Sequence, residues 1–167
     1  VRLLLAVGVA LSAGSAGAKP LTIKLGSLAP DGSPWHAMIK KMGEDFTKIS
    51  NGEIKLNVYA GGVLGDEPDM VKKLRIGQLH AAGLSTVGLS LLDEGLLCLH
   101  MPMMFDSYDE LDWVRERMIP KLDADLEKKG FIMLCWTDGG WAQFFSKKPI
   151  TNIEDLGKPK LFVWAGD

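Results

Sequence analysis

Alternating strand-like segments and amphipathic helices constrain the fold of this chain more than any other feature. Residues 21–25, 54–59 and 78–84 are predicted strands, and the first two alternate apolar with polar side chains. Helical spacing of apolar residues fills both intervals between them. This order predicts an α/β domain with a mainly parallel sheet and helices on both faces.

Local signals mark the ends of the first two helices. Ser33 is a predicted N-cap, Pro34 suits the first helical position, and Asn51-Gly52 ends the helix. The apolar face predicted for this helix comprises Trp35, Met38, Ile39, Met42, Phe46 and Ile49. The second helix follows a glycine loop and presents Met70, Val71 and Leu74 before Gly77 stops it.

The second half of the chain predicts a longer helix and further strands. Ser107 and Glu110 form a capping box at the start of that helix, and Pro120 is expected to interrupt it before Gly130. The remaining predicted elements are a buried strand at 131–136, a strand candidate at 141–146, a short helical turn after a capping box at 151–154, and a final strand at 160–164.

The first 18 residues have the composition of an export signal. Arg2 precedes the apolar run 3–11, and Ala16-Gly17-Ala18 is an A-x-A cleavage site before Lys19. The chain is therefore expected to be exported, with residues 1–18 removed. A net charge of -2 without a basic stripe argues against binding nucleic acid.

Motifs for enzymatic chemistry are missing from the sequence. The three histidines, His36, His80 and His100, lie in no metalloprotease, nucleophile-elbow or phosphate-loop pattern. A copper-binding module is the alternative kept open, because Cys98, His100, Met101, Met103 and Met104 supply soft ligands for Cu(I). Adaptable packing of the methionines is the competing interpretation.

The two cysteines, Cys98 and Cys135, both lie in apolar runs. A disulfide between them is compatible with an oxidising compartment. Two buried thiols are the favoured interpretation.

Four motifs in order resemble one transport family. The first is the opening strand followed by a helix of this length, and the second is GGVLGDE at 61–67 leading into LRIGQL at 74–79. The third is PMMFDSYDE at 102–110, and the fourth is SKKPI at 146–150 followed by EDL at 154–156 and KLFV at 160–163. Together they cover nearly all of the chain after residue 18. The set is similar to the substrate-binding proteins of TRAP (tripartite ATP-independent periplasmic) transporters, of the DctP type.

This resemblance implies a binding protein without catalysis or cofactor. Family members are about twice as long and enclose a ligand between two α/β domains. Residues 19–167 would be the first domain, truncated at the crossing strand near 160–164. The protein would capture a small organic solute in the periplasm and deliver it to the membrane subunits of an ion-gradient-driven transporter.

Candidate ligand contacts lie where strands end. In an open α/β sheet the ligand meets the carboxyl ends of the strands, which here indicates Leu28, Glu67 and Ser85. The same places match positions that the resembled family uses for ligand contact. Glu67 lies at a helix start, and its carboxylate could accept hydrogen bonds from a ligand hydroxyl or amine. Plain structural roles for Glu67 and Ser85 remain open.

The resemblance also draws attention to two missing arginines. Family members that bind organic acids hold the carboxylate at positions that fall here on Ala142 and Phe162. Apolar side chains cannot replace a bidentate guanidinium. Phe144, Phe162 and Trp164 would face the cleft, and aromatic rings suit a ligand with a flat, apolar or cationic group. Core packing of these aromatics is the competing interpretation.

Overall fold

The computed structural model describes residues 19–141, 143, 145–157 and 160. Its elements are β1 (Leu21–Ser27), α1 (Pro34–Ile49), β2 (Ile54–Tyr59), α2 (Glu67–Arg75), β3 (Ala81–Gly83), α3 (Thr86–Ser90), a 3-10 helix (Glu94–His100), α4 (Tyr108–Lys128) and α5 (Ile153–Leu156). The expected export signal and the strand expected at 160–164 lie outside the described residues, except for Lys160.

The three strands form one parallel sheet in the order β2-β1-β3. Leu25 of β1 is aligned with Val58 of β2 and with Ala81 of β3, so β1 is the central strand. Both connections carry a helix, as a parallel pairing requires. The predicted α/β class with a parallel sheet is therefore confirmed.

Helix α1 covers one face of the sheet. The Ser33 hydroxyl accepts a hydrogen bond from the His36 backbone N–H at 3.2 Å, which confirms the predicted N-cap. Gly43 is the buried residue of the helix, and a Cβ built on it would lie 3.0 Å from Cβ of Leu56 in β2. The absence of a side chain at Gly43 therefore lets the helix backbone approach the sheet closely.

The apolar face predicted for α1 is partly wrong. Trp35, Met38 and Ile49 are 39%, 58% and 83% exposed, whereas Ile39, Met42 and Phe46 are half-buried. Because the close approach occurs at Gly43, the helix turns that residue toward the sheet. A pattern based on apolar side chains does not score a glycine as a contact position.

Helix α2 covers the opposite face of the sheet. The Asp66 side chain caps it by accepting from the Asp69 N–H at 3.2 Å. Met70 is fully buried, and its Sδ would lie 2.8 Å from a Cβ built on Gly26 of β1. Successive residues of a strand point to opposite faces, so α2 and α1 lie on different sides of β1.

Strand β3 is shorter than predicted, because its expected first residues complete the turn after α2. The backbone N–H groups of Gln78 and Leu79 both donate to the Lys73 carbonyl, at 2.9 and 3.2 Å. His80 then bonds to β1 in two ways: its backbone N–H donates to the Lys24 carbonyl, and its Nδ1 accepts from the Lys24 N–H, both at 3.0 Å. The parallel pairing of β3 with β1 begins at Ala81.

A second cluster of buried residues joins α2 to the later helices. Its members are Val71, Leu92, Leu96, Leu122 and Leu126. The last two belong to α4, which runs without interruption through Pro120, contrary to the sequence prediction. Leu122 and Leu126 are buried after the proline, and half-buried Met118 packs against the same cluster before it; this packing compensates for the hydrogen bond that proline cannot donate.

The strands predicted at 131–136 and 141–146 are not strands in the described residues. Phe131 and Met133 pack against the second cluster, whereas Ile132 and Leu134 are 77% and 69% exposed. The segment thus has the alternation of a strand but pairs with no strand in the described part of the chain. Sequence alternation reports side-chain direction, but a strand also needs a hydrogen-bonding partner.

Helix α5 begins one residue later than the predicted capping box implies. Asn152 is its N-cap and accepts from the Asp155 N–H at 3.0 Å. Thr151 instead donates its own N–H and hydroxyl to the Asp155 carboxylate, at 3.1 and 3.0 Å.

Three charged side chains form an ion-pair group on α4. Asp125 accepts from Lys121 at 2.5 Å and from Lys128 at 2.8 Å. These hydrogen bonds, first that from Lys121, lower the pKa of Asp125 to about 2. Within the described residues, no helix combines the length and apolar character needed to cross a membrane.

Candidate functional site at the carboxyl edge of the sheet

The three predicted contacts of the described chain all follow strand ends at one edge of the sheet. Leu28 comes directly after β1, Glu67 opens α2 after the β2 loop, and Ser85 lies two residues beyond β3. Parallel strands place their carboxyl ends together, so the geometry follows from the sheet order.

Glu67 and Ser85 contact each other directly. The Ser85 backbone N–H donates to Oε1 of Glu67 at 2.5 Å, and the Ser85 hydroxyl is 2.6 Å from Oε2. Glu67 is 8% exposed, whereas Ser85 is exposed. A buried carboxylate is costly unless it is hydrogen-bonded, and Ser85 provides both bonds here. Ser85 therefore lies on the open side of the pair.

The first residues of α3 lie against the Glu67–Ser85 pair. Ser85 is the N-cap of this helix, and the Gly88 N–H donates to its hydroxyl oxygen at 3.4 Å. A Cβ built on Gly88 would be 2.7 Å from Oε2 of Glu67. Only glycine leaves enough room for the carboxylate at this position.

Leu28 lies beside the glycine loop that leads to Glu67. A Cβ on Gly62 would be 3.2 Å from Cδ2 of Leu28, and Gly62 has a φ of +71°. The loop is tied to the end of β1, because the Gly62 N–H donates to the Ser27 carbonyl at 3.1 Å and the Gly61 N–H to the Ala29 carbonyl at 2.8 Å. Leu28 thus offers an apolar surface beside the glycine loop that leads to Glu67.

The other three predicted contacts, Phe144, Phe162 and Trp164, lie outside the described residues, as does Ala142. Two described residues of the site were missed by the sequence argument. Gly88 contacts Glu67, and the buried Ser27 accepts from the Ala29 N–H at 3.1 Å. The Ser85-x-x-Gly88 spacing could have indicated a cap, but nothing in the sequence indicated the contact with Glu67.

Nothing in the structure supports the copper alternative. Met103 is 98% exposed and Met101 is 50% exposed, and the described residues contain no group of three or more His, Cys, Asp or Glu side chains arranged for a metal. Cys98 and Cys135 are free thiols, which agrees with the favoured interpretation. Their expected burial is wrong, because Cys135 is exposed and Cys98 is only half-buried.

Two open grooves on the described surface lie away from this edge. One, of about 530 Å³, is lined by residues 90–94 and Lys129, and Lys129 is already paired with Asp93 at 2.8 Å. The other, of about 340 Å³, follows the outer side of α1 near His36. Neither contains a predicted contact, so the candidate site rests on the sheet-edge geometry.

Comparison with known proteins agrees with this architecture. Residues 25–164 match the DctP family, described as bacterial extracellular solute-binding protein, family 7. Over 163 residues the chain is 27% identical to solute-binding protein RD1_1052 of Roseobacter denitrificans, covering 92% of this chain and 48% of that protein. It is 29% identical to the sialic acid-binding periplasmic protein SiaP of Vibrio cholerae over 155 residues, with the same two coverages.

A solved structure shows the same relationship in three dimensions. The TRAP periplasmic solute-binding protein of Pseudomonas putida F1, with bound D-glucuronate, aligns with a TM-score of 0.74 and 27% identity. The alignment covers 81% of this chain and 45% of that one, and the chain spans about half the length of the curated relatives it matches. The proteins of this family bind solutes for transport and are not enzymes. The match over residues 25–164 places the chain in the DctP family of bacterial extracellular solute-binding proteins.

Proposed function

We propose that this chain is the first α/β domain, residues 19–167, of an exported solute-binding subunit, with residues 1–18 as its signal peptide. The protein captures a small organic solute in the periplasm and delivers it to the membrane subunits of a TRAP-type, ion-gradient-driven transporter. The observation that carries this proposal is the family match over residues 25–164. The periplasmic location named for SiaP supports the compartment.

The proposed binding site has two sides. Leu28, Glu67 and Ser85 form one side, supported by their position at the carboxyl edge of the sheet. Phe144, Phe162 and Trp164 form the other, on the argument that the arginine positions of the family face the cleft. Closure of two domains around the solute would add contacts that the open state lacks.

The proposed solute is not held as a simple carboxylate by the positions of Ala142 and Phe162. D-glucuronate in the P. putida structure and the sialic acid named for SiaP show that relatives take organic acids. In this protein, an aromatic side of the binding cleft would favour a solute with a flat or apolar surface or with an ammonium group. A carboxylate, if the solute has one, would need a partner elsewhere.

Titration calorimetry with D-glucuronate and with tyramine, an aromatic amine, tests the proposal. We expect tyramine to bind the more tightly, and Phe162→Ala to weaken it up to about tenfold, the magnitude of one aromatic contact. Phe145→Ala is the matched control, because Phe145 is 94% exposed. Tight binding of D-glucuronate that Phe162→Ala leaves unchanged would contradict the aromatic side. Failure of the two-domain protein to bind D-glucuronate, tyramine or any other solute of a panel of organic acids and amines would contradict the function.

A further inference from the structure

Residues 101–104 form a tight turn that the proposed solute binding does not use. The Met104 backbone N–H donates to the Met101 carbonyl at 3.3 Å, with Pro102 and Met103 between them. Proline at the first central position and a positive φ at the second characterise a type II turn. Met103 has a φ of +59°, which lies in the left-handed region that favours glycine. We call these four residues the methionine turn.

The methionine turn is held in place by the segments on either side of it. The 3-10 helix (Glu94–His100) that precedes it is anchored by Leu96, which is 1% exposed and belongs to the second cluster. On the other side, the Asp106 backbone N–H donates to the Glu110 carboxylate at 3.0 Å, next to the N-cap of α4. Packing and capping of these flanks therefore fix the position of the turn.

The methionine side chains of the turn lie at the surface. Met103 is 98% exposed, and Met101 and Met104 are 50% and 47% exposed. Glycine would suit the backbone conformation of Met103 better, and at 98% exposure no core packing compensates for a methionine there. An unfavourable backbone conformation of this kind is a reason to look for a function. The property that distinguishes methionine from other apolar residues is its thioether sulfur.

We infer that the methionine turn is a site of reversible oxidation, where Met103 is the first methionine of the described chain to become methionine sulfoxide and a dithiol reductase returns it to methionine. The inference goes beyond solute binding and does not depend on it.

The forward step needs a peroxide and the return step needs a dithiol. The sulfur of Met103 attacks one oxygen of hydrogen peroxide, an S–O bond forms, the O–O bond breaks, and the other oxygen leaves as water with both hydrogens. The sulfur loses two electrons to the peroxide. In the return step a dithiol supplies two electrons and two hydrogens, the sulfoxide oxygen leaves as water, and the dithiol becomes a disulfide.

The position of Met103 makes both steps compatible with the folded state. Oxidation turns an apolar side chain into a polar one, which disrupts a core. Met103 is surrounded by solvent, so its sulfoxide disturbs no packing, and both a peroxide and a reductase can reach it. Met70 is the opposite case, because it is fully buried and its Sδ would lie 2.8 Å from a Cβ built on Gly26. A sulfoxide at Met70 would place a polar group in the core.

Timed oxidation of the full chain by hydrogen peroxide, followed by proteolysis and mass spectrometry, measures the sulfoxide at each methionine. The reaction is run at pH 5, where thiolates are scarce and compete little for the peroxide. Met103 should react about 1.7 times as fast as Met38 of α1, in proportion to their exposed fractions of 98% and 58%. Met70 should form no sulfoxide until urea unfolds the protein.

Two further measurements test reversibility and independence from the core. Methionine sulfoxide reductases of both epimer specificities, supplied with dithiothreitol, should return Met103 to methionine. Protein oxidised at Met103 should keep the urea midpoint of the untreated protein. Met103→Leu is the matched variant, because it removes the sulfur and keeps an apolar side chain. It should lose the fastest phase of oxidation and leave the rate at Met38 unchanged.

Several results would overturn the inference. Oxidation of Met38 or Met70 at least as fast as that of Met103 is one, and a fastest phase that persists in Met103→Leu is another. A Met103 sulfoxide that the reductases do not remove, or that lowers the urea midpoint, also overturns it. The proposed solute binding stands or falls separately, because calorimetry measures it.

Discussion

Replacing Gly26 with alanine should destabilise the fold through one contact between β1 and α2. The added Cβ would lie 2.8 Å from Sδ of Met70 and 3.1 Å from Cδ2 of Leu79, well inside the usual 3.5–4.0 Å separation of non-bonded carbon atoms. Met70 is fully buried and Leu79 is 2% exposed, so neither side chain has free space to enter. Overpacking of this kind costs about 1–3 kcal/mol.

Part of this cost is offset in the unfolded chain. Alanine restricts the unfolded backbone more than glycine does, which stabilises the native state by about 0.4–1 kcal/mol where the native backbone allows it. Gly26 lies in strand β1 and is not among the glycines with a positive φ, so alanine fits its native backbone and this stabilisation applies. The net loss is therefore about 1–2 kcal/mol. With a urea m-value of about 2 kcal/mol/M, the unfolding midpoint should fall by about 0.5–1 M.

A double-mutant cycle with Met70→Ala isolates the contact. Met70→Ala alone should cost about 2–5 kcal/mol, because it leaves a cavity. In that background the added Cβ no longer meets a sulfur atom, so Gly26→Ala should lose most of its effect. Gly43→Ala is the control in α1, where the 3.0 Å contact with Leu56 is offset by a helix-propensity gain of about 1 kcal/mol. An unchanged midpoint for Gly26→Ala, or the same loss with and without Met70, would refute the reasoning.

Three smaller effects should also be measurable. Ser107→Ala should destabilise the fold by about 0.5–2 kcal/mol in urea unfolding, since the Ser107 hydroxyl accepts from the Glu110 N–H at 3.2 Å; Ser107→Asp should retain most of the stability. The pKa of Asp125 is about 2, against an ordinary value near 3.9, so its contribution to folding stability is present above about pH 4 and is lost as the pH falls toward 2. Asp125→Asn should therefore flatten the dependence of stability on pH in that interval. An unchanged acid unfolding curve would contradict the assignment. Thiol counting should label exposed Cys135 in the native protein and half-buried Cys98 more slowly; no free thiol after unfolding would mean that a disulfide joins the two cysteines.

The start of α1 and the parallel sheet were predictable because their signals are local. Ser33 and Pro34 specify a helix start through one hydrogen bond and one fixed φ, and both act within a single turn. Side-chain alternation in β1 and β2 and the intervening helix then restrict the strands to parallel pairing. These properties depend on residues close together in the sequence, so they can be predicted without knowledge of distant contacts.

The mistaken elements all depended on something distant. The apolar face of α1 was rotated by the approach of Gly43 to Leu56. Helix α4 continued through Pro120 because Leu122 and Leu126 are buried in the second cluster and Met118 packs against it. The segment 131–136 has strand alternation, but strand pairing requires a neighbour that alternation cannot provide. Local preference is worth up to about 1 kcal/mol for an ordinary residue and about 3 kcal/mol for a proline inside a helix. Burial of one large side chain exceeds the first value, and burial of several exceeds the second.

The candidate site divides in the same way. The sequence by itself determined that Leu28, Glu67 and Ser85 follow strand ends and therefore share one edge of a parallel sheet, because strand order and direction fix which ends meet. Only the tertiary structure decided that Glu67 is buried, that it takes both hydrogens of Ser85, and that Gly88 leaves room for it. Hydrogen-bond direction at a site depends on distances between side chains far apart in the chain, and sequence spacing does not contain those distances.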